Sequence, residues 1–488
     1  MKKILAIIVT VLAAVTIADA KPKKPKYEVY NYPKGIEVSD CYSVTVEGKD
    51  ATVLPINPGG KDVVSSPDSV HLRGVKHGDE PHVALFSADK KVSVKVKFLK
   101  GAPKEVVVRP IAKNYDYQLK GDEMTIKLTT YDRISVEVDG DIWEPLFIFV
   151  NPVETDQLAE AKKNPETRVF EAGKIHKARG MNFKGKYKNI YIQGGAIVEG
   201  DFFHREDSKP PVMGGYVRGC GILDGRKKIG EISVFNIFHA DGLVVENITV
   251  FNRKHWSFRL NLCDNVTVDN VKVVAHCPFN DNWDENDGIH LIGCKNCTLT
   301  HCFAYSWDDA FNIGTKFNNY GGESFGCKVI DAVAWNVAPG NSFQAGWVAP
   351  YPNHDHYFKD CYSIHSGTKK HPYYRGGFAI RNHGHSPAYN FYYENIHIED
   401  PYEYGVSLYC AKSKKGPGII KDIYYKNVYI YKTPPMGCLV RGYSEEVPIE
   451  NITFENFFIE GKKIMSVDDA GFKAKRVISK NFKNVIFK

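Results

Sequence analysis

Asn247-Ile248-Thr249-Val250 is followed, 23 residues on, by Asn270-Val271-Lys272-Val273. The same pattern, a small or polar residue and then alternating apolar positions, returns six more times. The copies are His301-Cys302-Phe303-Ala304, Ala332-Val333-Ala334-Trp335, Cys361-Tyr362-Ser363-Ile364, Asn395-Ile396-His397-Ile398, Asn427-Val428-Tyr429-Ile430 and Asn456-Phe457-Phe458-Ile459. Successive offsets are 23, 31, 31, 29, 34, 32 and 29 residues. A loose period in that range, made of strands without helices, marks a solenoid. The Leu pattern of leucine-rich repeats is absent, and propeller blades need a longer period. The reading is a right-handed parallel β-helix running from about residue 188. One coil cannot bury its inner face alone, and stacking coils buries it. Inward Val, Ile, Phe and Cys should then form ladders, and turn Asn side chains should hydrogen-bond up the column. The Asn-x-Thr triplets at Asn247, Asn265, Asn296 and Asn451 are read as repeat turns, not as glycosylation acceptors.

Upstream, the pattern changes. Ser43–Glu47, Val92–Phe98 and Ile134–Val138 alternate strictly, with turn residues between them such as Pro58-Gly59-Gly60 and Asp139-Gly140. Many short strands with frequent turns predict a small β-sandwich. The apolar run Leu146–Val150 closes it, and a helix is expected over Thr155–Lys163, with Glu154 and Asp156 near its start. Lys2 and Lys3, the apolar Ile4–Ile17 and Ala18-Asp19-Ala20 form the three parts of a secretory signal. The expected division is a signal peptide over 1–20, a sandwich over 21–150 and an all-β catalytic β-helix over 151–488.

The apolar core of the signal is short for a membrane span. No cysteine follows the cleavage site and no other segment is apolar enough to cross a bilayer. A secreted or periplasmic monomer without membrane contact is expected. The 488 residues are 43% hydrophobic and 25% charged, ordinary for a globular protein. Removing residues 1–20 takes the formal charge from +7 to +6, since two Lys and one Asp leave. Lysines are scattered, so no nucleic-acid stripe is visible. The 28 Tyr and 27 Phe suit strands. Of 11 cysteines, Cys294, Cys297 and Cys302 lie in the repeat strands and are read as buried core thiols.

Two acidic signals then stand out: Asn286-Asp287-Gly288-Ile289-His290 and Ser306-Trp307-Asp308-Asp309-Ala310-Phe311. Asp287 and Asp308 are 21 positions apart, about one coil. Stacked strands lie ~4.8 Å apart, so these carboxyls become neighbours. Adjacent strand residues face opposite ways, so the chain must bend for Asp308 and Asp309 to share a face. Like charges this close cannot all ionise, and one carboxyl must keep a proton. That supplies a general acid without metal or cofactor, beside carboxylates able to activate water, which is what glycosidic hydrolysis needs. Trp283 and Trp307 flank the acids as candidate sugar contacts.

These residues resemble the clan of β-helical polysaccharide hydrolases that holds the polygalacturonases (family twenty-eight) and the dextranases and isopullulanases (family forty-nine). Asn286–His290 resembles the clan's Asn-Thr-Asp-Gly-Ile motif, and Asp308-Asp309 its Asp-Asp pair. Gly221-Ile222-Leu223-Asp224-Gly225 is similar to an earlier turn of the clan, and Asn252–Trp256 to the coil before the site. The resemblance spans roughly residues 165–460, and a sandwich ahead of the helix is similar to the dextranase-type arrangement. It implies Asp308 as general acid, Asp287 and Asp309 at the attacking water, and inversion at the anomeric carbon. Two departures matter. The Gly-His-Gly of polygalacturonases is replaced by Asn341-Ser342-Phe343-Gln344-Ala345-Gly346-Trp347, which looks more like the isopullulanase group. Their Arg-Ile-Lys is replaced by Ala379-Ile380-Arg381-Asn382. A neutral or differently charged sugar is therefore favoured over galacturonate. Gln344, Trp347, Arg381 and His383 are the further candidate substrate contacts, and the stretches 348–356 and 369–375 are expected to wall the cleft.

Three other readings remain open: a β-helix lyase with Ca²⁺ held by Asp281, Asp284, Glu285 and Asp287, a polygalacturonase with altered subsites, and a non-catalytic carbohydrate binder.

Overall fold

The computed structural model describes residues 26–56, 80–183, 186–205, 207, 211–227, 233–252, 256–276, 286–337, 340–347, 349–367, 375–475 and 477–488. The expected signal peptide, the Pro58–Gly60 turn, Trp283 and the stretch 281–285 lie outside them.

Strict alternation puts one face of each N-terminal strand inside. Val92–Phe98 buries Val92, Val94, Val96 and Phe98 and leaves its lysines outward. It sits in a five-stranded antiparallel sheet beside Tyr42–Val46 and Glu123–Leu128. The facing six-stranded sheet holds Tyr27–Val29, Val53–Pro55, His82–Ala88, Asp141–Asn151, Arg133–Val138 and Val106–Arg109. It is mixed, because His82–Ala88 and Asp141–Asn151 pair in parallel. The apolar run at 146–150 now has a reason. Leu146, Ile148 and Val150 fill the sandwich core, while Phe147 and Phe149 leave by the opposite face and pack on the β-helix. A strand covered on both sides reads as continuous apolar sequence.

The helix forms at Thr155–Lys163, as expected. Glu154 does not cap it with its side chain. Its carboxylate accepts instead from Tyr191 Oη (3.0 Å) and Gly194 N (2.8 Å). From Thr167 onward, strands stack in parallel register into one ladder. No helix among the described residues is long and apolar enough to cross a membrane.

The repeat obeys one physical rule: each coil turns through a residue in the left-handed region. The column is Asn247, Asn270, His301, Asp331, Asp360, Asn395, Asn427 and Asn456, all with φ between 48° and 65°. Asn and Asp tolerate this conformation better than other side chains. Two copies begin one residue earlier than the pattern predicts: the turn residues are Asp331 and Asp360, not Ala332 and Cys361. Strand pairing confirms the shift, since Phe303, Val333, Tyr362, His397, Tyr429 and Phe458 lie in register, each two residues past its turn. Amide hydrogen bonds run up the column, from Asn270 to Asn247, Asn395 to Asp360, Asn427 to Asn395 and Asn456 to Asn427, at 2.9–3.0 Å. The four Asn-x-Thr asparagines all have positive φ, as repeat turns should.

Inside, rings stack coil on coil: Phe311, Phe343 and Phe378 at 5.0 and 4.5 Å, and Phe358, Tyr393, Tyr425, Phe454 and Phe487 at 4.6–5.2 Å. Ten described cysteines are free and buried. Cys294, Cys297 and Cys302 are core thiols, but they sit at corners beside the strands rather than within them. There the Cys294 thiol donates to Leu260 O at 3.3 Å and the Cys302 thiol to Thr300 O at 3.3 Å.

The sandwich is bound to the β-helix by apolar packing and a buried ion network. Arg109 pairs with Glu137 (3.0 Å) and with Glu399 of the helix (2.8 Å), and His365 reaches Glu137 at 3.1 Å. Burial, the largest influence, pushes Glu399 up to about 7 against the pull of Arg109.

Candidate active site

The acid cluster is built by ladder register. Ile289–Ile292 pairs with Phe311–Gly314, matching Ile289 to Phe311. Phe311 is matched in turn to Phe343, and Phe343 to Phe378. Two residues upstream of these, the chain places Asp287, Asp309, Asn341 and Gly376 in one file. Gly288 N donates to Asp309 O (2.9 Å) and Ala310 N to Asn341 O (2.9 Å). The coil is therefore 22 residues long here, and the register partner of Asp287 is Asp309, not Asp308. Asp308 joins them because the chain bends: one strand ends at Ser306 and the next begins at Phe311. Ser306 Oγ donates to Asp308 O (2.6 Å), and Asp308 N donates to Asn286 O (3.2 Å).

Two glycines permit the bend. A Cβ on Gly288 would stand 2.2 Å from Ala310 O, and one on Gly340 would stand 2.3 Å from the carbonyl carbon of Asp308. Backbone packs directly against backbone on both sides of the aspartate pair.

One carboxylate oxygen from each of Asp287, Asp308 and Asp309 lies within 4.8 Å of the others. Their surroundings differ. Asp309 is held by three donors: Asn341 N (2.7 Å) and Nδ2 (2.8 Å) on Oδ1, and Gln344 Nε2 (2.7 Å) on Oδ2. Asp308 has one strong partner, Arg375 Nη1, at 2.8 Å. Burial pushes both carboxyls upward, and Asp308 also feels the charge of Asp309; Arg375 opposes the rise in both. Asp287 is buried, with His290 Nε2 3.6 Å from its Oδ1. Burial holds His290 down to about 3, so this imidazole is neutral beside the acids, 4.9 Å from the Trp256 ring.

The other expected contacts fall into three groups. Gln344 is in the site, but its amide faces Asp309 and accepts from Asn341, so both its ends bind protein. Arg381 lies on Gly376–Asn382 and donates Nε to His383 Nε2 at 2.6 Å; burial and Arg381 together lower His383 to about 4, keeping it a neutral acceptor. Arg381 also draws Asp309 downward, which puts it at the cluster. Trp307 is elsewhere. Its ring is buried in the junction with the sandwich, 6.1 Å from Trp143 and 5.6 Å from His276, because the bend that turns Asp308 outward turns its neighbour inward. Trp347 is on the strand Phe343–Trp347.

Sequence reading missed Asn341 and Arg375 as parts of the site. Asn341 is legible once the turn column fixes the coil register. Arg375 belongs to no repeat, and the sequence predicts it only as part of the cleft wall.

A model of glycosyl hydrolases family 28 matches residues 215–327, the coils that carry all three aspartates. No curated protein matches the chain. Among solved structures, Dex49A from Penicillium minioluteum shares 14% identity, with 94% of this chain and 96% of that one covered and a TM-score of 0.59. The hyperthermoactive exopolygalacturonase of Thermotoga maritima shares 10% identity over 68% of this chain and 86% of its own, at a TM-score of 0.47. The family 28 exopolygalacturonase of Yersinia enterocolitica shares 12% over 94% and 96%, at 0.42. Fold and family match together define the class: this is a parallel β-helix glycoside hydrolase, with a carbohydrate substrate.

Proposed function

We propose that the protein is an exported inverting polysaccharide hydrolase, acting on a neutral or differently charged glycan rather than on galacturonate. Asp308 is the general acid, and Asp287 with Asp309 orients and deprotonates the attacking water. The observation that carries this reading is the asymmetry of the cluster. Asp309 accepts three hydrogen bonds, which favour its ionised form. Asp308 is desolvated beside that charge and is the carboxyl that keeps a proton. In the reaction Asp308 gives its proton to the glycosidic oxygen as the bond to the anomeric carbon breaks. Water adds to that carbon and loses a proton to the Asp287/Asp309 side, and solvent exchange resets both.

Support for a substrate other than galacturonate comes from the two altered motifs. Where polygalacturonases carry Gly-His-Gly, this chain has the stretch Asn341–Trp347 without a His, and its Gln344 has both amide ends committed to protein. The lysine of Arg-Ile-Lys is absent, while Arg381 remains. Inversion follows from the resemblance alone, because a cluster within 4.8 Å is tighter than the ~6.5–9.5 Å usual for inverting pairs. The lyase reading fares less well. It would place Ca²⁺ on Asp281, Asp284, Glu285 and Asp287, and it gives the adjacent pair Asp308 and Asp309 no role.

The test is a screen of dextran, pullulan, pectin and sulfated algal galactans for new reducing ends, with the first-formed anomer followed by NMR. Inverted product, lost in Asp308→Asn, is expected. Retained configuration, an unsaturated ultraviolet-absorbing product that fails in chelator, or full turnover by Asp308→Asn would each overturn the proposal.

A further inference from the structure

The N-terminal sandwich carries a second cluster of reactive side chains, unrelated to the acid site. Cys41 stands just before the strand Tyr42–Val46 of the five-stranded sheet, while His82 and Glu144 belong to the facing six-stranded sheet. One donor atom of each lies within 4.8 Å of the other two. Three observations single the group out.

First, His82 is 1% exposed, and neither ring nitrogen has a hydrogen-bond partner among the described residues. Buried polar groups are almost always paired, and one that is not calls for an explanation such as an ion. Second, the Cys41 thiol faces carboxylates, with Asp40 Oδ1 at 3.1 Å and Glu144 Oε1 at 3.8 Å. Third, the group already holds a cation. Lys100 Nζ lies 2.7 and 2.8 Å from the two oxygens of Glu144, on a side chain 57% exposed and free to withdraw. A cavity of about 210 Å³, lined by Cys41, Lys100 and Glu144, gives access. Tyr42 braces the group, its hydroxyl donating to Glu144 O at 2.6 Å and its ring edge-on to His82 at 5.3 Å.

We infer that Cys41, His82 and Glu144 form a zinc site that cross-links the two sheets of the sandwich. Mixed sulfur, nitrogen and oxygen donors suit Zn²⁺, whereas Ca²⁺ and Mg²⁺ take oxygen sets. Zinc bond lengths put tetrahedral donors about 3.3–3.8 Å apart, so the group closes by roughly 1 Å. Asp40 or water completes the shell. Cys41 binds as thiolate and its proton passes to solvent; His82 binds as neutral imidazole; Lys100 swings out.

The test uses untagged full-length protein stripped with chelator and titrated with Co²⁺, then with Zn²⁺. One Co²⁺ per chain is expected, with a thiolate-to-cobalt charge-transfer band that Zn²⁺ abolishes. Cys41→Ser should remove that band, and His82→Gln should weaken binding at least tenfold. Lys100→Met, which removes the competing cation without touching a ligand, should tighten it several-fold. Zn²⁺ should raise the melting temperature of the parent but not of Cys41→Ser. If Cys41→Ser fails to fold, the Lys100→Met titration decides alone. Absence of stoichiometric Co²⁺ binding, a band that survives Cys41→Ser, or a Lys100→Met protein that binds no more tightly would overturn the inference.

Discussion

Arg375→Met tests the acid assignment through a shift of known direction. Arg375 Nη1 is 2.8 Å from Asp308 Oδ1 and is the one cation bonded to it among the described residues. Two unit charges ~4 Å apart attract by about 1 kcal/mol at the dielectric of water and about 4 kcal/mol at an effective value near 20. At about 1.4 kcal/mol per pKa unit, that brackets a change of roughly 0.7 to 3 units. The Asp308 side chain is still 24% exposed, which favours the lower end, about one unit. Asp308 begins above the ordinary carboxyl value because of burial, so losing Arg375 lifts it further. A general acid works protonated, and kcat/KM falls as pH rises through its pKa. The alkaline limb of the pH–rate profile should therefore move up by about one unit, while the acid limb, set by the water-activating carboxylates, moves less. The assay is initial release of reducing ends from the polysaccharide found in the screen, between pH 4 and 9. An alkaline limb that stays put or moves to lower pH would refute the pairing of Arg375 with the acid.

Three further substitutions separate site from scaffold. Gln344→Leu removes a donor from Asp309, a charged hydrogen bond of about 1.5–3 kcal/mol, so kcat should fall roughly 10- to 100-fold with little change in KM. A raised KM at constant kcat would instead make Gln344 a sugar contact. Trp307→Ala should cost about 3–5 kcal/mol of stability in urea titration, as for other buried aromatics, without raising KM in the enzyme that remains folded. Unchanged stability with a raised KM would restore it to the cleft. Arg109→Met takes from Glu399 its bonded cation at the junction, while Glu137 keeps His365, at a cost of about 3–5 kcal/mol near pH 8. Glu399, already raised to about 7, takes up a proton below that pH, so the loss should be smaller at pH 5. A pH-independent loss would show that Glu399 does not titrate there.

The sequence by itself determined the architecture, because a β-helix is a local rule repeated. Each coil needs one residue that tolerates positive φ and alternating apolar positions after it, and both are written in the chain at Asn270, Asn395, Asn427 and Asn456. Where Asp331 and Asp360 replace Asn, the pattern points one place late, since only strand pairing separates the turn from the residue after it. The aspartate cluster was legible for the same reason: one coil of spacing puts carboxyls side by side. Tertiary structure decided which residues serve them. The bend at 307–310 swings Asp308 into the cluster and Trp307 into the junction, a choice that depends on Gly288 and Gly340 letting backbone meet backbone. Arg375 reaches Asp308 from 67 residues away, outside any repeat. Periodicity encodes neighbours along the stack, and it carries no information about a side chain that arrives from a loop.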